Sequence, residues 1–318
     1  MIFKTIPQNG ASWLNPVLYS LEFEQKEESV EVEIYDELTA SSLGRVMLYN
    51  TITATIDVAP YVRTAKLNAP LREQDSIVEP SFDACRLVLR VNGQESRPIV
   101  LFRSDITGLS PRMISATADN ETVADGEILR FTLLAERSIV LTIAQSSNGS
   151  IKRYEFATQG VPSEVALPIR TLIVGENIIV RLECDGMMVG VCSYRVVERA
   201  ESAVRLAWIN SIGGMESRTF PLSVKRSVVV KSEDVECECG WYRRVVGSTI
   251  VRRLMMPGAT QSQIDSILDV LLSPRVYRCD GYEYRAVQLL TDTITYDDHG
   301  KLQRLEFDIK EEWKGGVL

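Results

Sequence analysis

The 318-residue chain holds few residues that could carry chemistry. His299 is its single histidine. A lone histidine excludes Ser-His-Asp, Cys-His and HExxH catalysis and any multi-histidine metal site. It lies in Asp297-Asp298-His299-Gly300, a polar run that reads as a solvated hairpin turn. No GxSxG or SxxK motif supplies another nucleophile. Carboxylates are numerous, but a glycosidase-type pair is defined by separation in space, and no acid–base pattern is legible. Of the six cysteines, Cys237-x-Cys239 with Cys279 form the best metal candidate, since thiolates are good zinc ligands. Structural zinc sites take four ligands, however, and alternate spacing places Cys237 and Cys239 on one face of a strand as core residues. No catalytic residue, metal or cofactor is assigned, and no enzyme is expected.

Charge narrows the partners. Asp plus Glu number 43 against 35 Lys plus Arg, a net charge of −8. That balance argues against a general phosphate-neutralising surface, so no nucleic acid is expected. Arg243, Arg244, Arg252 and Arg253 flank Val245-Val246-Gly247 and read as a solvated or inter-subunit salt-bridging face. No run of about 18 apolar residues is present, so no membrane span is expected. The opening MIFKTIPQNGASW shows no basic segment followed by an apolar run. Reduced thiols, as in a cytoplasmic chain, are therefore expected.

The elements around these residues are mainly strands. At roughly 100–150 residues per domain, the length predicts two or three domains. Residues 1–106 read as an N-terminal β domain. Val30, Val32 and Ile34 alternate with Glu31, Glu33 and Tyr35, as in a half-buried antiparallel strand. Arg45–Tyr49 and Thr51–Val58 read as two further strands, and residues 57–63 as a short helical turn or edge crossover. Residues 68–82 look like loop. Asn92-Gly93 suits a type I′ turn between Cys85–Val91 and Arg97–Arg103. Residues 107–200 hold short strands with turn signals at Asp125-Gly126, Asn148-Gly149, Gly175-Glu176 and Asp185-Gly186, predicting an immunoglobulin- or fibronectin-like sandwich.

Residues 201–318 read as a C-terminal β-rich domain with one clear helix, about 260–272, giving an α+β unit. Thr260 with Gln263 forms a capping box, and Ile264, Ile267, Leu268 and Leu271 recur at helical spacing. The domain opens with Arg205–Phe220, RLAWINSIGGMESRTF. Here Trp208 and Phe220 are expected in a core and Gly213-Gly214 in the turn between them, with a positive φ expected at the glycines. Trp208, Gly213, Gly214 and Phe220 are thus the candidate structural anchors.

Four stretches carry a family resemblance. They are Trp13-Leu14-Asn15-Pro16-Val17 before Val30–Arg63; Leu206–Phe220, against a W-[IL]-N-x-x-G-G-x-[DE]-x-x-[TS]-F element; Ser273–Tyr277; and Ala286–Asp292. Together they resemble a family of phage- and prophage-encoded structural proteins, tail- or virion-associated, of Bacteroidetes-type genomes. Tyr277 stands where that family has an aromatic, and Met215 departs mildly from its pattern. The resemblance implies a non-enzymatic, particle-associated component whose partners are other tail-like proteins or copies of itself. The alternative is a host-surface or carbohydrate-binding adhesion module, for which Trp13, Trp241, Tyr242, Tyr282 and Tyr284 are the candidate aromatics.

Overall fold

The computed structural model describes residues 1–68, 78–81, 83–103, 110–114, 121–124, 126–135, 138–145, 151–158, 160–168, 173–198, 200–280, 283–293 and 303–312. His299, Asp297, Asp298 and Tyr282 lie outside the described residues. The protein is mainly β, with two helices among the described residues. Neither is long and apolar enough to cross a membrane.

The first sheet comes from β1 (Ile2–Thr5), β2 (Ala11–Ser12), β3 (Leu18–Asp36), β4 (Ser41–Asp57), then, after helix α1 (Ala59–Asn68) and β5 (Val78–Pro80), from β6 (Cys85–Val91), β7 (Gln94–Glu95) and β8 (Ile99–Phe102). Its order is β1-β3-β6-β8-β2, with β4 on the other edge of β3 and β7 beside β6. Val30, Val32 and Ile34 face the core with Trp13, Tyr19, Leu87 and Leu89. Asn92 and Gly93 take φ of 49° and 76°, the positive pair a type I′ turn requires. Two expectations are corrected here. Residues 41–57 are one strand, which passes through Asn50 in a left-handed conformation (φ 49°) instead of breaking there. Residues 59–68 form a full helix, so the C-terminal helix is not alone. Asp57 Oδ1 accepts from the Ala59 N–H at 3.0 Å, and Pro60 sits in the first turn, where its missing N–H costs nothing.

The middle sandwich contains β9 (Arg112–Met113), β10 (Glu121–Ala124), β11 (Ile128–Leu134), β12 (Ile139–Gln145), β13 (Ile151–Phe156), β14 (Ser163–Pro168), β15 (Asn177–Cys184) and β16 (Met187–Val197). One sheet runs β9-β11-β14-β5 and the other β10-β16-β15-β12-β13. This is the immunoglobulin arrangement, with A, B, E and D positions in one layer and C, F and G in the other. The short β10 crosses to the second layer and pairs parallel with the last strand, Glu121 opposite Tyr194. The D position is filled by β5, whose Val78 lies opposite Val165. A segment expected as loop in the N-terminal unit thus completes its neighbour's sheet.

The last sheet is built from β17 (Val204–Ile209), β18 (Met215–Phe220), β19 (Leu222–Cys237), β20 (Gly240–Ala259), β21 (Val276–Asp280), β22 (Glu283–Leu289) and β23 (Gln303–Glu312), with α2 (Gln261–Leu272) packed on it. Its order is β18-β17-β21-β22-β23-β20-β19. Thr260 caps α2 by accepting from the Gln263 N–H, and the Gln263 side chain accepts from the Thr260 N–H, closing the capping box. Ile264, Ile267 and Val270 are fully buried against Trp208, Leu254 and Phe307, while Leu268 and Leu271 sit at the margin. Phe220 meets Phe307 edge to face at 4.8 Å.

One small hairpin, β17–β18, touches all three units. Every residue of β11 and of β18 is buried, because β18 covers the outer face of β11. The Met215 N–H donates to Thr132 Oγ1 at 2.7 Å, and Asn210 Nδ2 donates to the Ile114 carbonyl at 3.0 Å. Of the glycine pair in its turn, only Gly213 takes a positive φ, 83°. A Cβ there would lie 1.8 Å from the Arg103 carbonyl oxygen. At Gly214 the constraint is contact instead: its Cβ would sit 3.0 Å from Ile114. The turn therefore touches the end of the first unit and the start of the second.

Candidate interaction surface

β19 and β20 follow this buried hairpin after a single residue, Pro221. Their proximal halves belong to the last sheet, where ion pairs tie β20 to β23. Arg253 makes two hydrogen bonds to Asp308 at 2.8 and 2.9 Å, and Arg252 Nε donates to Glu311 at 2.8 Å. The Arg253 guanidinium holds the Asp308 carboxyl below its ordinary range. Pairing with β23 ends at Thr249, opposite Glu312. Beyond it, Val230–Cys237 and Gly240–Ser248 pair only with each other among the described strands. Eight residues at 3.3 Å each make a two-stranded arm about 25 Å long.

The arm's chemistry is unusual for a solvated ribbon. Val230, Trp241, Tyr242, Val245 and Val246 on the arm, and Val224, Val228 and Val229 just before it on β19, are all exposed, Trp241 by 69% and Tyr242 by 51%. Cross-strand register fixes their faces. Trp241 lies opposite Glu236 and Val245 opposite Ser232, so Trp241, Val245, Val228 and Val230 share one face. Tyr242 lies opposite Val235 and shares the other with Val229. Asp234 faces Arg243 and Glu233 faces Arg244, two oppositely charged cross-strand pairs that help hold the register. A two-stranded ribbon is marginal on its own in water, and a contiguous exposed apolar surface marks a contact site. The four arginines divide accordingly: Arg252 and Arg253 are paired within the chain, while Arg243 and Arg244 stand exposed on the arm.

The arm tip corrects the expectation for the cysteines. Cys237 ends β19, Cys239 lies in the turn, and both are exposed rather than core. Cys279 is buried elsewhere, packed with Ala207, Ile209 and Met215, and burial raises its thiol to about 11. Among the described residues, no group of three or more His, Cys, Asp or Glu side chains is placed to hold a metal ion.

The candidate aromatics do not converge. Trp13 is buried and donates its Nε1–H to the Asp83 carbonyl at 3.1 Å. Trp241 and Tyr242, as neighbours in one strand, point to opposite faces and form no single stacking platform. Tyr284 is half-buried, edge to face with Tyr277 at 5.8 Å and with the Arg130 guanidinium 4.6 Å from its ring. Its phenol is raised by burial. A groove of about 640 Å³ runs past Tyr277 and Tyr284 to Leu271 and Leu289. Trp208 and Phe220 lie in the last core.

No protein-family model matches the chain, and no curated protein matches it. Among solved structures, a "Biofilm associated protein - BSP domain" is similar at 12% identity over 61% of this chain, with a TM-score of 0.20. The chain spans 29% of that structure's length. A complex of Dpr2 Ig1-Ig2 with DIP-Theta Ig1-Ig3 is similar at 7% identity over 98% of this chain and 89% of that one, also at a TM-score of 0.20.

Proposed function

We propose that this chain is a non-enzymatic protein-interaction module that joins a larger assembly through the β19–β20 arm. The observation that carries the reading is the arm itself, a ribbon with apolar side chains on both faces and an outer edge that no described strand pairs. Extended edges and exposed apolar ribbons are the means by which β modules join one another. The finer reading is that the assembly is a phage or prophage tail or virion, built in the cytoplasm. It rests on the sequence resemblance in Trp13–Val17, Leu206–Phe220, Ser273–Tyr277 and Ala286–Asp292.

The test compares the full chain with a variant in which Val230–Ser248 is replaced by a two-residue Asn-Gly turn. That turn closes the hairpin at the Val229–Thr249 pair. In native extracts of producing cells the full chain should sediment in an assembly well above 35.6 kDa. The shortened chain should sediment as a free monomer with an unchanged melting temperature. A full chain at monomer size, or a shortened chain still incorporated, overturns the proposal.

A further inference from the structure

We infer that the outer edge of β19 pairs antiparallel with β19 of a second copy, with Val229 on the two-fold axis. β19 is the terminal strand of its sheet, and along its length no described strand covers the other side. Its exposed stretch reads Lys225-Arg226-Ser227-Val228-Val229-Val230-Lys231-Ser232-Glu233-Asp234, basic at one end and acidic at the other. Opposite charges at the two ends of one strand are what an antiparallel copy of itself can neutralise.

The register follows from sterics and charge. The irregularities in the β19–β20 ladder lie at Ser223/Lys225 and at Lys231/Ser232. The second is an extra residue in β20, Val246, so β19 alternates regularly from Lys225 to Cys237. A two-fold axis between identical antiparallel strands is perpendicular to the sheet, so facing residues must come from the same face. Only registers centred on a residue satisfy that condition. Centring on Val229 sets Val228 opposite Val230 twice and Lys225 opposite Glu233 twice, with Arg226 diagonal to Asp234. Centring one residue earlier, on Val228, sets Lys225 against Lys231, two like pairs. Centring one later, on Val230, sets Arg226 against Asp234 but places Val229 against Lys231, Val228 against Ser232 and Lys225 against Val235. The Val229 register alone keeps the valines together and matches charges at both ends.

The other long free edge lacks this property. In β4, Arg45 is the one charged side chain between Ser41 and Ile56, and it already pairs with Glu31 and Glu33 of β3. It therefore offers no charge pattern to set a register. Pairing at β19 also answers the arm's marginal stability, since a ribbon of two strands becomes a sheet of four.

The inference rests on the arm being the assembly surface, and its test separates the two. The purified full chain should be a dimer by sedimentation equilibrium. Lys225→Glu and Glu233→Lys should each weaken dimerisation by about tenfold or more, since each puts like charges opposite one another twice. The double variant should restore it. In a Cys237→Ser, Cys239→Ser background, Val229→Cys should cross-link quantitatively under copper-catalysed air oxidation, because facing Cα atoms lie about 4.5–5.5 Å apart. Val230→Cys, two residues out of register with its own copy, should not. A purified chain that stays monomeric at 100 µM (a concentration of about 10⁻⁴ M, corresponding to a very weak association), charge swaps without effect, or failed restoration overturns the self-pairing. If assembly in extracts then still depends on the arm, the wider proposal stands and a different chain is the partner.

Discussion

Two consecutive hairpins of this chain invert the usual relation between hydropathy and burial. β17–β18 ends in Met215-Glu216-Ser217-Arg218-Thr219-Phe220, four polar residues in six, and all six are buried. β19, one residue later, carries Val228-Val229-Val230, and all three are exposed. The difference lies in what covers each hairpin. β18 is pressed between β11 and α2, and each of its polar side chains has a partner on a neighbouring segment. Arg205 donates to Glu127 at 3.0 Å, to Thr219 at 2.9 Å and to Ser217 at 2.7 Å. Arg218 pairs with Glu121 and donates to Ser266 Oγ at 2.8 Å and to the Gln263 carbonyl at 3.0 Å. Asn210 donates to Glu216 at 2.7 Å. Beyond Thr249 the two strands of the arm pair only with each other among the described strands. A buried polar hairpin holds units of one chain in fixed relation, and a bare apolar one fits the interaction role proposed above.

The comparison breaks first at Arg218. Its guanidinium and Glu121 are both buried, so removing one charge leaves the other uncompensated. Arg218→Ala should lower the unfolding free energy by about 3–5 kcal/mol. Arg218→Met with Glu121→Gln should recover most of that loss, because the stranded charge goes too. Chemical denaturation of the parent, the single variant and the double variant is the measurement. A single-variant loss below about 1 kcal/mol would show that the hairpin is not held by its polar partners.

The turn of the same hairpin comes next. Gly213→Val meets both a positive φ and the Arg103 carbonyl, and should cost about 2–4 kcal/mol from strain and displacement together. Gly214→Val meets contact alone and should cost less. Thermal melts of the two variants check the order. If Gly214 proves the more sensitive, the turn is held by Ile114 rather than by backbone conformation.

The buried junction also contains polar groups without full compensation, Asp83 among them. Asp83 is buried, and its Oδ2 has no hydrogen-bond partner among the described residues. Burial raises its carboxyl to about 7; Arg103, Lys66 and Arg275 oppose that rise and Glu164 adds to it. A carboxyl whose folded pKa is raised binds its proton more tightly in the folded state. Its contribution to stability is therefore complete below the ordinary carboxylate pKa and is lost as pH rises through about 7. Asp83→Asn should raise stability at pH 8 by about 1–2 kcal/mol and leave it nearly unchanged at pH 4. Urea titrations at the two pH values decide; a gain equal at both would assign the effect to packing.

Much of the fold is legible from alternation and turn chemistry. Val30–Ile34, the Asn92-Gly93 and Asp185-Gly186 turns and the Thr260 capping box all lie where local physics puts them. What is not legible depends on distant partners. β5 and β10 are three and four residues long and exist because β14 and β16 offer edges. α1 is obscured by Pro60, which reads as a break until it is seen in a first turn. The buried pairing of Arg205 and Arg218 is hidden because nothing nearby in sequence announces Glu127 or Glu121. The arm escapes for the opposite reason. Alternation signals a strand with one face in a core, and neither face of this ribbon is in one. A signal was present all the same: Val228–Val230 and Val245-Val246 lie on either side of Cys237-Glu238-Cys239-Gly240, the pattern of a hairpin.

The smallest expected effect is the one that most sharpens the contrast between the hairpins. Val229 is 48% exposed in the single chain, so little apolar surface leaves water there when the chain folds. Val229→Thr keeps the β-branched shape that suits a strand and adds a hydroxyl that solvent can satisfy. In dilute solution, below the concentration at which chains associate, its unfolding free energy should stay within about 0.5 kcal/mol of the parent. A Thr219→Val change in the buried hairpin is the reciprocal test, equally conservative in shape. It removes the hydroxyl that bonds Glu127 and Arg205, and should cost about 1–3 kcal/mol. Urea midpoints of the two variants at matched low concentration give the comparison directly. Near-equal losses would mean that the arm is already covered within its own chain and is not a contact surface.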